Sequence, residues 1–281
     1  MTKQLPEVAL TPEEVQEILA HCGPNALLVG GQALALWAAV YDVTPPAVLS
    51  TAISSDADFI GSVQLARKLE HALKVWEFWK PAPDDATPQT AKLTRTVDEG
   101  IKQIDFLDGI AGLDTDDVQR RAVVFTLASG TDLRVLHPLD VLESRLQNLR
   151  LIPGKRNAEG IAQAHLAVRI ARSFLLRLIE GGASTRVVFD IVERLGQIAT
   201  NKALTGVMLD YEVDVLSVVP TERIEQPAFR TKRWPQIQAS VEAQNRKYQK
   251  QRARRLGSGS QGDLNTPPRG RLRRRSPKPI G

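Results

Sequence analysis

The sequence predicts an α+β fold, in which a small mixed β-sheet with flanking helices is followed by a helical domain and a disordered basic tail. In the first half of the 281-residue chain, short apolar runs bounded by glycine, proline or polar residues indicate strands. From Pro138 onward, leucines recur at helical spacing instead. After Gly257, glycine, serine, proline and arginine dominate, and such a composition cannot assemble a core.

We divide the chain into four segments on these grounds. They are an α/β domain at residues 1–137, a helical domain at 138–217, a linker with a polar helix at 218–256, and a disordered basic tail at 257–281. No internal repeat is visible.

The first helix is predicted by the signals at its two ends. Thr11 suits the N-cap, Pro12 suits the first turn, and Glu14 follows Thr11 by three residues, as a capping box requires. Gly23-Pro24 then ends the helix. Hydrophobic periodicity predicts the other elements. They are strands at 26–29, 53–60, 92–97, 102–107, 123–127 and 133–136, and helices at 32–40, 63–79, 138–149, 158–179, 187–199 and 234–256.

Charge is distributed unevenly along the chain. The 37 basic and 32 acidic residues give a net charge of +5, but 12 of the basic residues and one acidic residue lie from Arg246 onward. The 25 basic and 31 acidic residues that precede it give the body of the protein a net charge of −6. A basic tail of this kind either contacts nucleic-acid phosphates without sequence specificity or serves as a solubilising extension.

The composition also bears on the setting of the protein. It contains no apolar run near the roughly 18 residues of a membrane helix, and its polar, acidic N-terminus does not resemble a signal peptide. The one cysteine, Cys22, excludes an intramolecular disulfide and is expected to be a small buried hydrophobe. We therefore expect a cytoplasmic protein with no membrane partner. Trp37, Trp76 and Trp79 fall at helical spacing among apolar residues, so we assign them to the core.

Carboxylates and a glycine pair occur in an order that suits phosphate chemistry. Gly30-Gly31 follows a strand, Asp56 and Asp58 lie on the next strand, and Asp105 lies on a later one. Residues i and i+2 share one face of a strand, so Asp56 and Asp58 lie about 7 Å apart and repel each other unless a cation lies between them. A third carboxylate from a neighbouring strand completes an oxygen site suited to Mg²⁺ or Mn²⁺. The glycine pair lets backbone N–H groups approach phosphate oxygens at a helix N-terminus, or else forms only a tight strand-to-helix turn.

The segments LLVGGQALALW, SSDADFIGS and KQIDFLDGI together resemble the nucleotidyltransferase superfamily of the DNA polymerase β type. Within it, the minimal and abortive-infection toxin nucleotidyltransferases are nearest, and HPLDVLESRLQNLRLIPGKR resembles the helical segment that follows their catalytic domain. The resemblance spans roughly residues 26–180. It implies the nucleotidyltransferase fold and metal-dependent transfer of a nucleoside monophosphate from an NTP to a hydroxyl of tRNA, a protein or a small molecule. It also implies a possible role in a toxin–antitoxin pair or in phage defence.

The resemblance further implies a role for each residue of the site. Asp56 and Asp58 would hold the metals and the phosphates, and Asp105 would help to activate the acceptor hydroxyl as a metal ligand or base. The nucleotide-binding residues would be Gly30, Gly31, Gln32, Lys155 and Arg156.

This chain departs from the family pattern in three places. Gln32 follows the glycine pair where many members have a serine, 24 residues separate Gly31 from Asp56, and the usual basic residue before the Asp-x-Asp strand is missing. Lys155 and Arg156 would reach a triphosphate from the helical domain, or else be exposed loop charges.

Two other functions stay open at this point. A catalytically inactive member of the fold would bind a nucleotide or a partner protein, and a nucleic-acid-binding protein would depend on the basic tail. The remaining polar residues receive a structural role or none: we expect Asp108 to be solvated in a turn and His137 to be structural, and we give Gln163 and His165 no role.

Overall fold

The structure is a computed structural model that describes residues 5–23, 26–49, 56–82, 84–85, 87–127, 130 and 132–258, with side chains described as far as residue 254. Its helices are α1 (Pro12–Cys22), α2 (Gly30–Val40), α3 (Val63–Leu73), α4 (Thr115–Arg121), α5 (Pro138–Leu151), α6 (Ala158–Glu180), α7 (Thr185–Ala199), α8 (Thr205–Asp210) and α9 (Trp234–Ser258). Its strands are β1 (Leu27–Leu28), β2 (Ala57–Ile60), β3 (Glu77–Trp79), β4 (Gln89–Val97), β5 (Gly100–Leu107), β6 (Val123–Thr126) and β7 (Asp132–Val135).

The strands of the described part of the chain form one mixed sheet in the order β3-β4-β5-β2-β1-β7-β6. The pairs β2–β5 and β1–β7 are parallel, and the other neighbouring strands are antiparallel. Helices flank this sheet and a helical region follows it, so the predicted α+β class is confirmed.

Strands β2 and β5 at the centre of the sheet separate apolar from acidic side chains. Because side chains alternate between the two faces of a strand, Phe59 and Phe106 lie on one face, where their rings stack with centroids 6.0 Å apart. Asp58 and Asp105 are partners in the parallel register and lie on the other face. The strand predicted at 53–60 begins at Ala57, and residues 53–55 of that prediction lie outside the described residues.

The capping box predicted for α1 is present and also anchors the helix to the sheet. The Thr11 hydroxyl accepts a hydrogen bond from the Glu14 N–H at 3.3 Å, and the Glu14 carboxylate accepts one from the Thr11 N–H at 2.8 Å. The same carboxylate forms an ion pair with Lys102 of β5 at 2.7 Å. Glu14 therefore both starts the helix and attaches it to a central strand.

The helix predicted at 63–79 is wrong in its second half. It ends at Leu73 because Lys74 adopts a left-handed conformation with φ of 52°, which an α-helix cannot continue. The chain then forms β3, an edge strand that pairs only with β4 among the described strands. Trp79 lies on this edge with 43% of its surface exposed, so its assignment to the core is wrong, whereas Trp37 and Trp76 are buried as predicted.

The helical region packs directly on the sheet region. Helix α2 contacts both α5 and α6, and the Trp37 indole N–H donates to the Leu136 carbonyl at 2.7 Å. Helix α9 extends to Ser258, so residues 257–258, which we predicted to be tail, are helical. The rest of the predicted tail, 259–281, lies outside the described residues, and the division into four segments stays a prediction. Among the described helices, none combines the length and the apolar character needed to span a membrane.

A buried carboxylate on α5 joins three helices. Asp140 is fully buried, and it accepts two hydrogen bonds from the Arg121 guanidinium of α4, at 2.9 and 3.1 Å. It also accepts one from Arg194 of α7. A buried charge is costly unless it is paired and hydrogen-bonded. These contacts satisfy that requirement, and they fix α5 between α4 and α7.

We expect Asp140→Ala to lower the free energy of unfolding by about 3 kcal/mol, because it leaves two arginines without their shared buried partner. Urea denaturation followed by circular dichroism measures this change. Asp117→Ala is the matched control, since Asp117 also pairs with Arg121, at 3.4 Å, but is exposed. Exposed pairs contribute little, so equal losses in the two variants would contradict the assigned role of Asp140.

Candidate active site

Three carboxylates converge on one face of the sheet. Asp58 of β2 and Asp105 of β5 are register partners, and Asp56 lies one residue before β2 begins. One carboxylate oxygen from each of the three residues lies within 4.8 Å of the others. The structure thus brings together the three acidic residues that the sequence singled out.

The crowding of these groups changes their acidity. Burial, followed by the charges of Asp56 and Asp105, raises the pKa of Asp58 to about 7. Burial also raises the pKa of Asp105, against the opposing effect of the Lys92 ammonium group. Both shifts mean that the negative charges on this face are unfavourable without further positive charge.

One buried oxygen of the cluster is available to a cation. Oδ1 of Asp105 is the buried side-chain oxygen that makes no hydrogen bond within the described part of the chain. The Lys92 ammonium group forms an ion pair with it at 3.5 Å and donates a shorter hydrogen bond to Gln103, at 2.7 Å. Buried polar atoms without a partner are rare and need an explanation. A divalent cation held by three carboxylates would supply the partner, and an all-oxygen donor set suits Mg²⁺ or Mn²⁺.

The start of α2 lies against the carboxylates. Gly30 adopts φ of 63°, and a Cβ atom built on it would lie 1.8 Å from Oδ2 of Asp58. Glycine is therefore required there both by conformation and by space. Val29, at the N-cap of α2, has no side chain that can cap the helix. The first-turn N–H groups from Gly30 to Gln32 thus form a helix N-terminus next to the acidic cluster, which is a favourable position for a phosphate.

A cleft of about 340 Å³ opens beside this cluster. One wall is the loop after β5, including Ile110, and the other is the face of α5 that carries Arg145 and Asn148. Gly30 and Asp58 lie on its surface as well. A ligand in the cleft would contact the glycine turn and one of the carboxylates at the same time.

Arg145 is a site residue that the sequence analysis missed. It is 7% exposed, and its guanidinium donates to Oε1 of Gln163 at 3.0 Å. Burial lowers its pKa, whereas Asp58 and Asp56 act to raise it. Its position in the sequence could have identified it. Arg145 follows Leu142 by three residues and precedes Leu149 by four, which puts a charged residue on the leucine face of the helix.

The structure separates the two basic residues predicted at 155–156. Lys155 is exposed, and its charge acts to lower the pKa of Asp58, so it lies within electrostatic reach of the cluster. Arg156 instead donates to the carbonyls of Leu149 and Arg150, at 2.8 and 2.7 Å, which closes the C-terminal end of α5. It lines a second cleft together with Tyr248, away from the carboxylates.

The structure also places three other polar residues that the sequence analysis considered. His137 caps α5 by accepting a hydrogen bond from the Leu139 N–H at 3.1 Å, and burial lowers its pKa to about 4. A ring nitrogen of His165 lies 3.1 Å from the Tyr211 carbonyl. Asp108 is exposed at the rim of the cleft.

Comparison with known proteins does not assign the chain to a family. No protein-family model matches the chain, and no curated protein matches it. The crystal structure of the Megavirus polyadenylate synthase has a partial likeness, with a TM-score of 0.36 and 12% sequence identity. The likeness covers 63% of this chain and 37% of the viral protein.

We expect Gly30→Ala to destabilise the fold by clearly more than about 1–2 kcal/mol, the cost of a left-handed conformation at a residue with a side chain. The new Cβ would lie 2.8 Å from the Cβ of Asp58, so rotation of the carboxylate alone cannot relieve the clash. Gly182→Ala is the matched control, because Gly182 has φ of 74° and nothing within 4 Å of its Cβ position. Urea denaturation compares the two variants, and equal losses would remove the close approach of Asp58 as the cause.

Proposed function

We propose that this protein is a metal-dependent nucleotidyltransferase of the DNA polymerase β type. It moves a nucleoside monophosphate from an NTP to a hydroxyl acceptor. The observation that carries the proposal is the cluster of Asp56, Asp58 and Asp105, with oxygens within 4.8 Å of one another beside the glycine turn that opens α2. Carboxylates from two neighbouring strands next to a helix N-terminus supply cation ligands and phosphate donors in one place.

In the proposed reaction, the acceptor oxygen attacks the α-phosphorus of the NTP. The bond from that phosphorus to the bridging oxygen breaks, and pyrophosphate leaves. Bound Mg²⁺ or Mn²⁺ would stabilise the attacking and leaving oxygens. Asp56 and Asp58 would hold the cations. Asp105 would help to activate the acceptor hydroxyl, either as a further metal ligand or as the base that takes its proton.

In this proposal the glycine turn binds the phosphates of the leaving pyrophosphate. N–H groups of Gly30, Gly31 and Gln32 at the start of α2 donate to β- and γ-phosphate oxygens, aided by the helix dipole. Lys155 adds positive charge from the helical region, and its effect on the pKa of Asp58 supports this. Arg156 has no such support, because its guanidinium is engaged by the carbonyls of Leu149 and Arg150.

The acceptor in this proposal is a hydroxyl on tRNA, a protein or a small molecule. The resemblance of HPLDVLESRLQNLRLIPGKR to toxin nucleotidyltransferases supports a role in a toxin–antitoxin pair or in phage defence. Contact with a nucleic acid would involve the basic tail, most of which lies outside the described residues.

We expect Asp58→Asn and Asp105→Asn each to reduce NMP transfer by at least about 100-fold. Loss of a residue that only supports a metal ligand costs roughly 10–100-fold, and loss of the ligand itself should cost more. The measurement is label transfer from each of the four NTPs in the presence of Mg²⁺ or Mn²⁺ to RNA, protein and small molecules in a cell lysate. Asp108→Asn is the control, since Asp108 lies at the rim of the same cleft but outside the cluster. Full activity in Asp58→Asn and Asp105→Asn would refute the catalytic role of these carboxylates. If the wild type transfers no NMP, a nucleotide-binding protein without activity would be favoured instead.

We expect Mn²⁺ to raise the melting temperature of the wild type but not that of an Asp56→Asn, Asp58→Asn double variant. A cation at a concentration of 100 times its Kd stabilises the folded state by about 2.7 kcal/mol. Without metal, the double variant should be as stable as the wild type or more stable, because two like charges are gone from one face. Differential scanning calorimetry with and without Mn²⁺ measures both effects. A double variant that still responds to Mn²⁺ as the wild type does would place the cation elsewhere.

A further inference from the structure

We propose that Arg145 is the residue that receives the triphosphate of the nucleotide, and that Gln163 is a positioning residue that aims its guanidinium into the cleft. This inference rests on the proposed function and assigns a substrate contact that the sequence did not predict.

The guanidinium of Arg145 is held at the cleft by neutral partners. Its Nη1 donates to Oε1 of Gln163 at 3.0 Å, and its Nε donates weakly to the Ser144 hydroxyl at 3.4 Å. Gln163 is itself fixed, because its amide nitrogen donates to the Glu159 carboxylate at 3.2 Å. A guanidinium has about five N–H donors in a planar fork, so these two bonds leave a good part of the group for a ligand.

The hydrogen bonds of Arg145 described above go to neutral oxygens, and the negative charges that act on it are those of Asp58 and Asp56. A buried charge surrounded by neutral groups is unfavourable until an anion meets it. Since Arg145 lines the same cleft as Gly30 and Asp58, an anion in that cleft would meet the guanidinium and the start of α2 together.

The charges around the carboxylates indicate which anion fits. The charges of Lys92, Arg145 and Lys155 act to lower the pKa of Asp58 or Asp105. The cleft therefore presents cations as well as carboxylates to a ligand. The proposed divalent cations would add positive charge beside Arg145, and the several negative charges of a triphosphate would offset more of that charge than a monophosphate could.

A different role for Arg145 has a different signature. If the guanidinium served only to neutralise Asp56 and Asp58, a lysine could replace it and Arg145→Lys would leave triphosphate binding unchanged. If it receives the phosphate chain through its planar fork, Arg145→Lys weakens triphosphate binding although the positive charge remains.

The test measures two dissociation constants by calorimetry, one for Mn²⁺ alone and one for inorganic triphosphate in the presence of Mg²⁺. We expect Arg145→Lys, which keeps the charge but loses the fork, to weaken triphosphate binding about tenfold or more. Its Mn²⁺ affinity should stay within about threefold of the wild type, or under about 0.7 kcal/mol, because lysine keeps the positive charge that acts on Asp58 and Asp56. Arg150→Lys is the control, because Arg150 lies on the same helix but bonds to Gln147 and lines the second cleft.

Gln163→Glu keeps the inference testable if Arg145 variants fold poorly. The new carboxylate would pair with the guanidinium, so triphosphate binding should weaken. It would also face the Glu159 carboxylate in place of the present hydrogen bond, a repulsion that costs little between neighbours on a helix, and circular dichroism checks that the variant is folded. Wild-type triphosphate affinity in both Arg145→Lys and Gln163→Glu would overturn the inference, as would an equal loss of Mn²⁺ binding. NMP transfer by the wild type separates the two proposals. If the wild type transfers NMP but the variants keep their triphosphate affinity, only the Arg145 assignment is refuted. If triphosphate binding depends on Arg145 but the wild type transfers no NMP, only the catalytic function is refuted.

Discussion

The close approach between the start of α2 and the Asp58 carboxylate is the constraint on which the site depends. The N–H of Val29 donates to the Asp58 carbonyl at 2.9 Å, so the end of β1 and the acidic strand are joined by backbone. The chain must then turn into α2 at Gly30, where any Cβ would overlap Asp58. A helix N-terminus, whose partial positive charge favours anions, is thereby placed against the Asp58 carboxylate. This contact is favourable, but burial and the repulsion among the three carboxylates remain an electrostatic cost.

The fold offsets this electrostatic cost on the opposite face of the same strands. Ala57, Phe59, Ile104 and Phe106 alternate with the acidic residues of β2 and β5, and each is at most 1% exposed. Burial of such side chains stabilises by roughly 1.5–3 kcal/mol for each large one. The period of two in a strand thus lets one pair of neighbouring strands supply both the core and the acidic cluster. The packing of these apolar side chains therefore stabilises two strands whose acidic face is unfavourable by itself.

Local patterns in the sequence predicted the parts of the site that depend on local geometry. The spacing of Asp56 and Asp58 and the glycine at Gly30 follow from strand and turn rules alone. That Asp105 joins them depends on a parallel pairing between distant strands. Local rules do not predict this pairing, and the sequence analysis only assumed that Asp105 came from a neighbouring strand. Arg145 was missed because it lies on a leucine face, and its proposed role depends on a contact with Gln163 of another helix. Trp79 was misplaced because the left-handed residue that ends α3 is a lysine, which carries no stop signal.

Helix α5 links the stability of the molecule to the geometry of the site. Asp140 and Arg145 are five residues apart, which at 3.6 residues per turn puts them about 140° apart around the helix axis. Asp140 therefore holds α5 to α4 and α7 on one side, while Arg145 faces the cleft and α6 on another. Two charged residues on different faces fix the rotation of one helix, since a turn that improved one contact would break the other. The position of the guanidinium at the cleft is in this way set by a buried carboxylate that takes no part in the proposed chemistry.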